Sequence, residues 1–396
     1  MAFNKKSVRD LEISEGDAAL VRVDFNVPLK DGQVTDDSRI RATIPTIENL
    51  RGRGARLVLM GHVGRPDGRD PETSMEPMSQ RLGELLDVQV HQAPEVIGPE
   101  VRRGVDRLDP GEILMLENLR WESGETDNDQ ELAKELASLG DVYVNDAFGA
   151  SHRAHASVAR VTEHLRPAAA GELLESEVST LTELVENPGR PFVVVLGGAK
   201  VSDKITLIER FLETADAILI GGAMCFSFFK AQDIPVGNSK VEDEDVEVAR
   251  EALEKAEDSD CQLYLPVDLV AGKDFDEDTE TQKLDGVEVP DGWMGLDVGQ
   301  KTVETYREEI SGAGAVFWNG PMGAFELEPF AAGTKGVAEA VAEAEGKTVV
   351  GGGDSASALA QFGLADEVSH LSTGGGASLE LLEGKTLPGV EVLDDA

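Results

Sequence analysis

The sequence predicts an α/β protein built from two doubly wound parallel-sheet (Rossmann-like) domains joined by a helical hinge. Three observations lead there. Short apolar runs alternate with amphipathic stretches from end to end, the pattern of parallel strands covered by helices on both faces. About eleven such runs are more than one open sheet usually holds. A chain of 396 residues is also long for a single domain.

In order, the strands of the first half read ALVRVDFNV, ARLVLMGH, VQVHQ, EILMLEN and DVYVNDAF. Those of the second half read PFVVVLGG, AILIGG, QLYLPVDLV, AVFWNG, TVVGGGD and VSHLS. Helices are expected between them at SRIRATIPTIENLRGRG, DQELAKELASLG, DKITLIERFLETAD and VGQKTVETYREEI. The segment GELLESEVSTLTELVEN reads as one helix bounded by Pro167 and by Pro188-Gly189. The expected division is therefore a first domain over 1–170, a connecting helix over 171–187 and a second domain over 188–384. A connector of this kind suits two lobes that move against each other. No internal repeat of fixed period is present.

Composition narrows the function. Hydrophobic residues make up 41% of the chain, enough for sizeable cores. The formal charge is −40, which excludes a general nucleic-acid binder. No apolar run approaches the ~20 residues of a membrane span. The N-terminus MAFNKKSVRDLE lacks the apolar stretch of a secretory signal, and two cysteines make no disulfide framework. A cytoplasmic protein is expected. The acid is spread along the chain, and such self-repulsion is screened when the Debye length falls to roughly 3 Å near 1 M salt. That predicts life in concentrated salt, in a salt-loving microbe of archaeal type. The charge is uneven. Residues 167–396 carry most of the negative excess, whereas the first 166 hold most of the arginines. Arg suits bidentate capture of phosphate and carboxylate.

In open parallel sheets, ligands bind beyond the carboxyl ends of the strands. In the first half, Arg39, His62, Arg65, Arg120, His152, Arg153 and His155 lie at or just after those ends, a set fit for a small molecule bearing phosphate or carboxylate. A metal between His152 and His155 is permitted by spacing but lacks a third ligand nearby. In the second half the tips are LGGAK, IGGAM, WNGPMGAFE, GGGDSAS and STGGGAS. Gly-rich turns before helices bring backbone amides to phosphates. Asp354 could hold Mg²⁺ there. Lys200 and Lys204, four apart, are expected on one face of a starting helix. The spacing is not that of a P-loop, because Val341 and Leu379 stand where the required glycine would be. Gly351, Gly353 and Ala356 form a weak G-x-G-x-x-A, which keeps an NAD-dependent dehydrogenase open as an alternative. A non-catalytic two-lobed anion-binding protein is another. A nucleotide lobe beside an acidic-metabolite lobe makes phosphoryl transfer the economical reaction.

These motifs resemble one family closely, phosphoglycerate kinase. The resemblance runs from RVDFNVP through RIRATIPTI, GHVGRP, ENLRW, NDAFGASHRAHAS, GGAKVSDKI, GWMGLD, NGPMGAFE and GGGDS to STGGGASLELLEGK. It implies Mg²⁺-dependent exchange between ATP with 3-phosphoglycerate and ADP with 1,3-bisphosphoglycerate, in glycolysis and gluconeogenesis, by a monomer. It further implies that Asp24, Phe25, Asn26, Arg39, His62, Val63, Gly64, Arg65, Arg120 and Arg153 surround the triose. Lys200, Lys204, Gly221, Gly222, Gly295, Leu296, Asn319, Glu326, Gly352, Gly353, Asp354 and Ser355 would hold the nucleotide, with Asp354 on the metal. Arg39, Lys200, Lys204, Gly352 and Gly353 would act in catalysis. The tail 385–396 would fold back onto the first domain. The variants GHVGRP and ENLRW remove no charged group from the family's pattern.

Overall fold

The apolar runs of the first half become the strands of one parallel sheet. The computed structural model describes residues 3–396, and these fall into two units, one up to residue 180 together with 384–396, the other 181–383.

In the first unit the strands are β1 (Ala18–Arg22), the small hairpin β2 (Leu29–Lys30) and β3 (Gln33–Val34), then β4 (Arg56–Met60), β5 (Val90–Gln92), β6 (Ile113–Met115), β7 (Val142–Asn145) and β8 (Ala168–Ala170). The six-stranded sheet has the order β5-β6-β4-β1-β7-β8, and every pairing in it is parallel. All five residues of β1 are buried, as befits a central strand covered on both faces. Helices α1 (Ser38–Gly52), α2 (Glu76–Leu86), α3 (Pro99–Asp106) and α4 (Gln130–Ala137) supply the cover. The chain leaves β1 toward β4 on one side and later returns to β7 on the other. The crevice between the ends of β1 and β7 is therefore the switch point where a ligand is expected.

Helix α5 (Glu172–Glu186) follows, closely matching the helix read from sequence. Its start is held by Asp146, whose Oδ1 accepts from the amides of Leu173 and Leu174 at 3.0 and 3.2 Å.

The second unit contains β9 (Phe192–Leu196), α6 (Ile205–Thr214), β10 (Ala217–Ile220), α7 (Cys225–Ala231), α8 (Asp243–Glu257), β11 (Gln262–Tyr264), β12 (Leu269–Gly272), β13 (Thr281–Leu284), β14 (Met294–Val298), α9 (Gln300–Ser311), β15 (Ala315–Asn319), α10 (Ala332–Glu343), β16 (Lys347–Gly351), α11 (Gly353–Phe362), β17 (His370–Leu371) and α12 (Gly376–Leu382). Its parallel sheet is ordered β11-β10-β9-β15-β16-β17, which puts the switch point between β9 and β15.

Three elements differ from the sequence reading. QLYLPVDLV is two strands, because Pro266 cannot continue a ladder. Beyond it, the Asp268 carboxylate turns to cap α9 through the amides of Lys301 and Thr302. β12 then joins β13 and β14 in a three-stranded antiparallel sheet that no alternation signalled. β8 is three alanines, a residue poor in strand propensity, and it forms through pairing with β7.

After α13 (Pro388–Glu391) the tail lies on the first unit. The Lys6 amide donates to the Asp394 carbonyl oxygen at 2.8 Å, and Asn145 Nδ2 donates to the Gly389 carbonyl oxygen at 2.9 Å.

Candidate functional site

At the first unit's switch point the cationic residues of the sequence reading come together. Arg39, in the first turn of α1, donates to Asp24 Oδ2 at 2.9 Å, and about a third of its side chain stays exposed. Asn26 Oδ1 accepts the Gly64 amide at 3.0 Å, and Arg120 donates to the Gly64 carbonyl oxygen at 2.6 Å. The loops after β1, β4 and β6 are thereby tied to one another. Asn118 adds a further tie, capping the turn that carries Arg120 and donating to the Val63 carbonyl oxygen at 2.8 Å. Arg65 and Arg153 are exposed. The Arg120 guanidinium lies below its ordinary pKa through burial and then the charges of Arg153, Arg22 and Arg65. His155 is pushed down to about 4 by burial, then Arg22, Arg120, Arg153 and His152. So many cations opposing one another imply an anion as their common partner.

Two of the residues expected at the triose have buried side chains: Phe25 lies fully in the apolar core and Val63 is 5% exposed, so what they offer a ligand is backbone. Two further residues enter that the sequence reading had not singled out. Arg22 and Glu125 are both buried beneath the cluster. Arg22 lies inside an apolar strand run, where only the buried position of β1 reveals it.

In the second unit a cleft of ≈ 290 Å³ opens along the ends of β9, β10 and β14. Its lining includes Gly198, Gly222, Gly295, Leu296, Glu326 and Asp354. The glycines make it possible. Gly222 has φ +67°, and a Cβ there would meet the Gly198 amide at 2.5 Å. A Cβ on Gly295 would strike the Phe226 ring at 2.1 Å, so a flat apolar slot survives only with glycine. Phe275, 64% exposed at the rim, and Lys240 also line the cleft, and neither sits on a strand tip where sequence reasoning looked.

Beside the cleft, Lys204 Nζ donates to the Gly197 carbonyl oxygen at 2.6 Å, to the Asn319 carbonyl oxygen at 3.0 Å and to Asn319 Oδ1. Burial pushes this ammonium down to about 8, with Asp354 and Asp203 opposing. Asn319 in turn donates to the Gly351 carbonyl oxygen, and Ser355 Oγ accepts the Gly320 amide at 2.6 Å. Gly352 caps α11, so the amides of Gly353, Asp354 and Ser355 begin a helix without helical acceptors. Such a helix start is a place for phosphate. Gly221 packs behind, its absent Cβ 2.4 Å from Met322 Sδ.

Lys200 and Lys204 do not share a helical face, because α6 begins only at Ile205. Lys200 precedes a short turn and pairs with Glu242 at 2.7 Å, whereas Lys204 points inward. The Asp354 carboxylate is exposed at the cleft, and its charge acts on the Lys204 ammonium. A lone carboxylate beside phosphate-binding amides fits Mg²⁺, which keeps most of its waters and takes few protein ligands. Among the described residues no group of three or more His, Cys, Asp or Glu could hold an ion by itself.

Comparison with known proteins gives the family. The family description "Phosphoglycerate kinase" matches residues 8–385. The chain is 53% identical to the phosphoglycerate kinase of Rubrobacter xylanophilus over 394 residues, covering 99% of each. It is 52% identical to that of Chloroflexus aurantiacus over 401 residues, covering 100% of each. Among solved structures, the phosphoglycerate kinase of Coxiella burnetii superposes with a TM-score of 0.87 at 38% identity, and that of Pyrococcus horikoshii with 0.86 at 32%, each covering 98% of both chains. The relatives near 50% identity are bacterial, so the similarities give no support to an archaeal source.

Proposed function

The chain belongs to the phosphoglycerate kinase family, and from that premise we propose which of its residues carry phosphoryl transfer between ATP and 3-phosphoglycerate. The enzyme is a phosphotransferase acting on a carboxyl group, and the relatives support this reading over the dehydrogenase and receptor alternatives.

In the proposed assignment, His62, Arg65, Arg120 and Arg153 bind the triose phosphate and carboxylate, with Asp24 and Asn26 ordering the loop around them. The base of the nucleotide lies in the slot floored by Gly295 and Leu296, with Glu326 reaching the ribose. The phosphates run toward Lys204 and the amides at the start of α11. Lys200 contributes only by leaving Glu242. When bound, Mg²⁺ at Asp354 neutralises phosphate charge. A carboxylate oxygen of 3-phosphoglycerate attacks the γ-phosphorus, the bond to the bridging oxygen breaks and ADP leaves. No side-chain nucleophile is required, because the work is positioning and charge neutralisation. Water must be excluded, which assigns α5 the part of a hinge between domains 1–170 and 188–384. The sorting of residues carries this reading. Guanidinium and imidazole groups gather at one switch point, and glycine amides with one buried lysine gather at the other. Incubation with MgATP and 3-phosphoglycerate is expected to release ADP, and silence with either substrate alone completes the test. NAD⁺ reduction would refute it.

Phe275 supplies a second check. Its ring at the rim suits the base, so Phe275→Ala raises KM for MgATP about fivefold, the scale of one aromatic contact, and leaves KM for 3-phosphoglycerate unchanged.

The reading extends to a cytoplasmic monomer adapted to concentrated salt. No helix among the described residues is long and apolar enough to cross a membrane. The net charge of −40 supports the salt reading. Melting temperature is expected to climb between ~0.1 and ~2 M KCl as screening shortens the range of repulsion. A flat or falling curve would mark an acidic protein of ordinary salt. Sedimentation at the same salt tests the monomer.

A further inference from the structure

Arg22 ends β1 with its guanidinium fully buried. Nε donates to Ser157 Oγ at 2.8 Å, one terminal nitrogen donates to the Val23 carbonyl oxygen, and the other lies 3.0 Å from Nδ1 of His62. A guanidinium has donors only, so the imidazole Nδ1 is the acceptor and carries no proton. The ring proton is then on Nε2, the nitrogen without a protein partner. We propose that Arg22 is a positioning residue that locks His62 in the Nε2–H tautomer, so that His62 presents the triose anion with a fixed hydrogen-bond donor and not a titrating charge. The inference rests on the reading of His62 as a triose ligand.

The surroundings enforce the lock. Glu125 is fully buried and lies 4.0 Å from the Arg22 guanidinium, which gives the buried cation a counter-charge. The Glu125 carboxylate accepts from the Ser157 hydroxyl and amide at 2.6 and 3.0 Å, so Ser157 fixes Arg22 and Glu125 together. The Tyr143 hydroxyl donates to the Ser157 carbonyl oxygen at 2.9 Å and steadies that residue from β7. A second proton on His62 would have to sit on Nδ1, against the guanidinium. Burial, then the charges of Arg22, Arg120, His155 and Arg39, hold the imidazole pKa well below its ordinary value. The two acids of the cluster are already engaged, Asp24 by Arg39 and Glu125 by Ser157 and Arg22. Arg22 has no exposed surface, so it acts on the substrate only through His62.

The test is nitrogen–proton correlation spectroscopy of the imidazoles in the full-length, isotope-labelled protein, with His62 assigned by its absence in His62→Gln. The expected result is an unprotonated Nδ1 and a protonated Nε2 throughout about pH 5 to 8. Adding 3-phosphoglycerate alone should shift the Nε2–H signal and leave the tautomer unchanged. Averaged tautomers, or a midpoint near the ordinary ~6.5, would overturn the role of Arg22 even if the signal moves with substrate. A fixed tautomer that ignores 3-phosphoglycerate would overturn the ligand reading and the positioning role with it. Arg22→Met combined with Glu125→Gln, which strands no buried charge, is expected to raise KM for 3-phosphoglycerate about tenfold. That KM should also gain a dependence on pH on the acid side of the free imidazole value, because burial still holds the ring down once the Arg22 charge is gone. A KM that rises but stays flat with pH would contradict the lock. Should this variant not fold, the wild-type spectra decide.

Discussion

Arg39→Ala is expected to lower kcat by at least ~10²-fold while changing the Kd for MgATP by no more than about twofold. The expectation comes from position. Arg39 sits in the first turn of α1, oriented by Asp24 at 2.9 Å, with about a third of its side chain exposed. The charge it meets is greatest when the γ-phosphoryl is shared between two oxygens. An arginine placed on such a group contributes up to ~10³–10⁵ in rate. Arg39→Lys keeps the charge and loses the planar fork, so it should fall between Ala and wild type. Single-turnover rates with nucleotide binding measured in parallel separate the two effects. A near-wild-type kcat in Arg39→Ala would remove the residue from catalysis.

The second large effect is expected at Lys204. Its ammonium spends three donors on Gly197, the Asn319 carbonyl oxygen and Asn319 Oδ1, so the charge is held in one place before phosphate arrives. Lys204→Met preserves much of the buried stem and removes that charge, and kcat should drop by at least ~10²-fold. The wild type should also show a pH signature. Burial has pushed Lys204 down to about 8, so the free enzyme holds the positive form below that value and loses it above. The profile of kcat/KM for MgATP reports the free enzyme and is expected to fall as pH rises through about 8. Bound polyphosphate restores the proton, so kcat itself should decline at higher pH. A residual activity in Lys204→Met above a tenth of wild type would place the charge outside the reaction.

The two sheets and the residues at their carboxyl ends were legible because parallel strands announce themselves as short apolar runs, and because glycine, Arg and His cluster where each run stops. GHVGRP and GGGDS fall where β4 and β16 end, as the runs before them indicate. The remainder was hidden for physical reasons. Arg22 falls within an apolar run, and a buried charge has no pattern of its own until its partners His62 and Glu125 arrive from other loops. Phe275 belongs to the turn between β12 and β13, an antiparallel addition whose residues do not alternate cleanly between apolar and polar. Lys200 and Lys204 seemed equivalent by spacing. A turn before α6 sends one to Glu242 and buries the other. Phe25 carries no such ambiguity once β1 is seen to be central, since its side chain points into the core. The triple alanine of β8 illustrates the opposite limit, where pairing overrides propensity.

The proposed division of labour is between an anion-binding cluster of side chains and a backbone-lined nucleotide slot. A crystal structure of the full chain soaked with 3-phosphoglycerate and MgADP examines it directly. The triose is expected against Arg39, His62, Arg65, Arg120 and Arg153, and the nucleotide over Gly295 and Leu296 with its phosphates at Lys204 and the first amides of α11. Density for the triose away from those guanidinium groups, or for the nucleotide outside that slot, would contradict it.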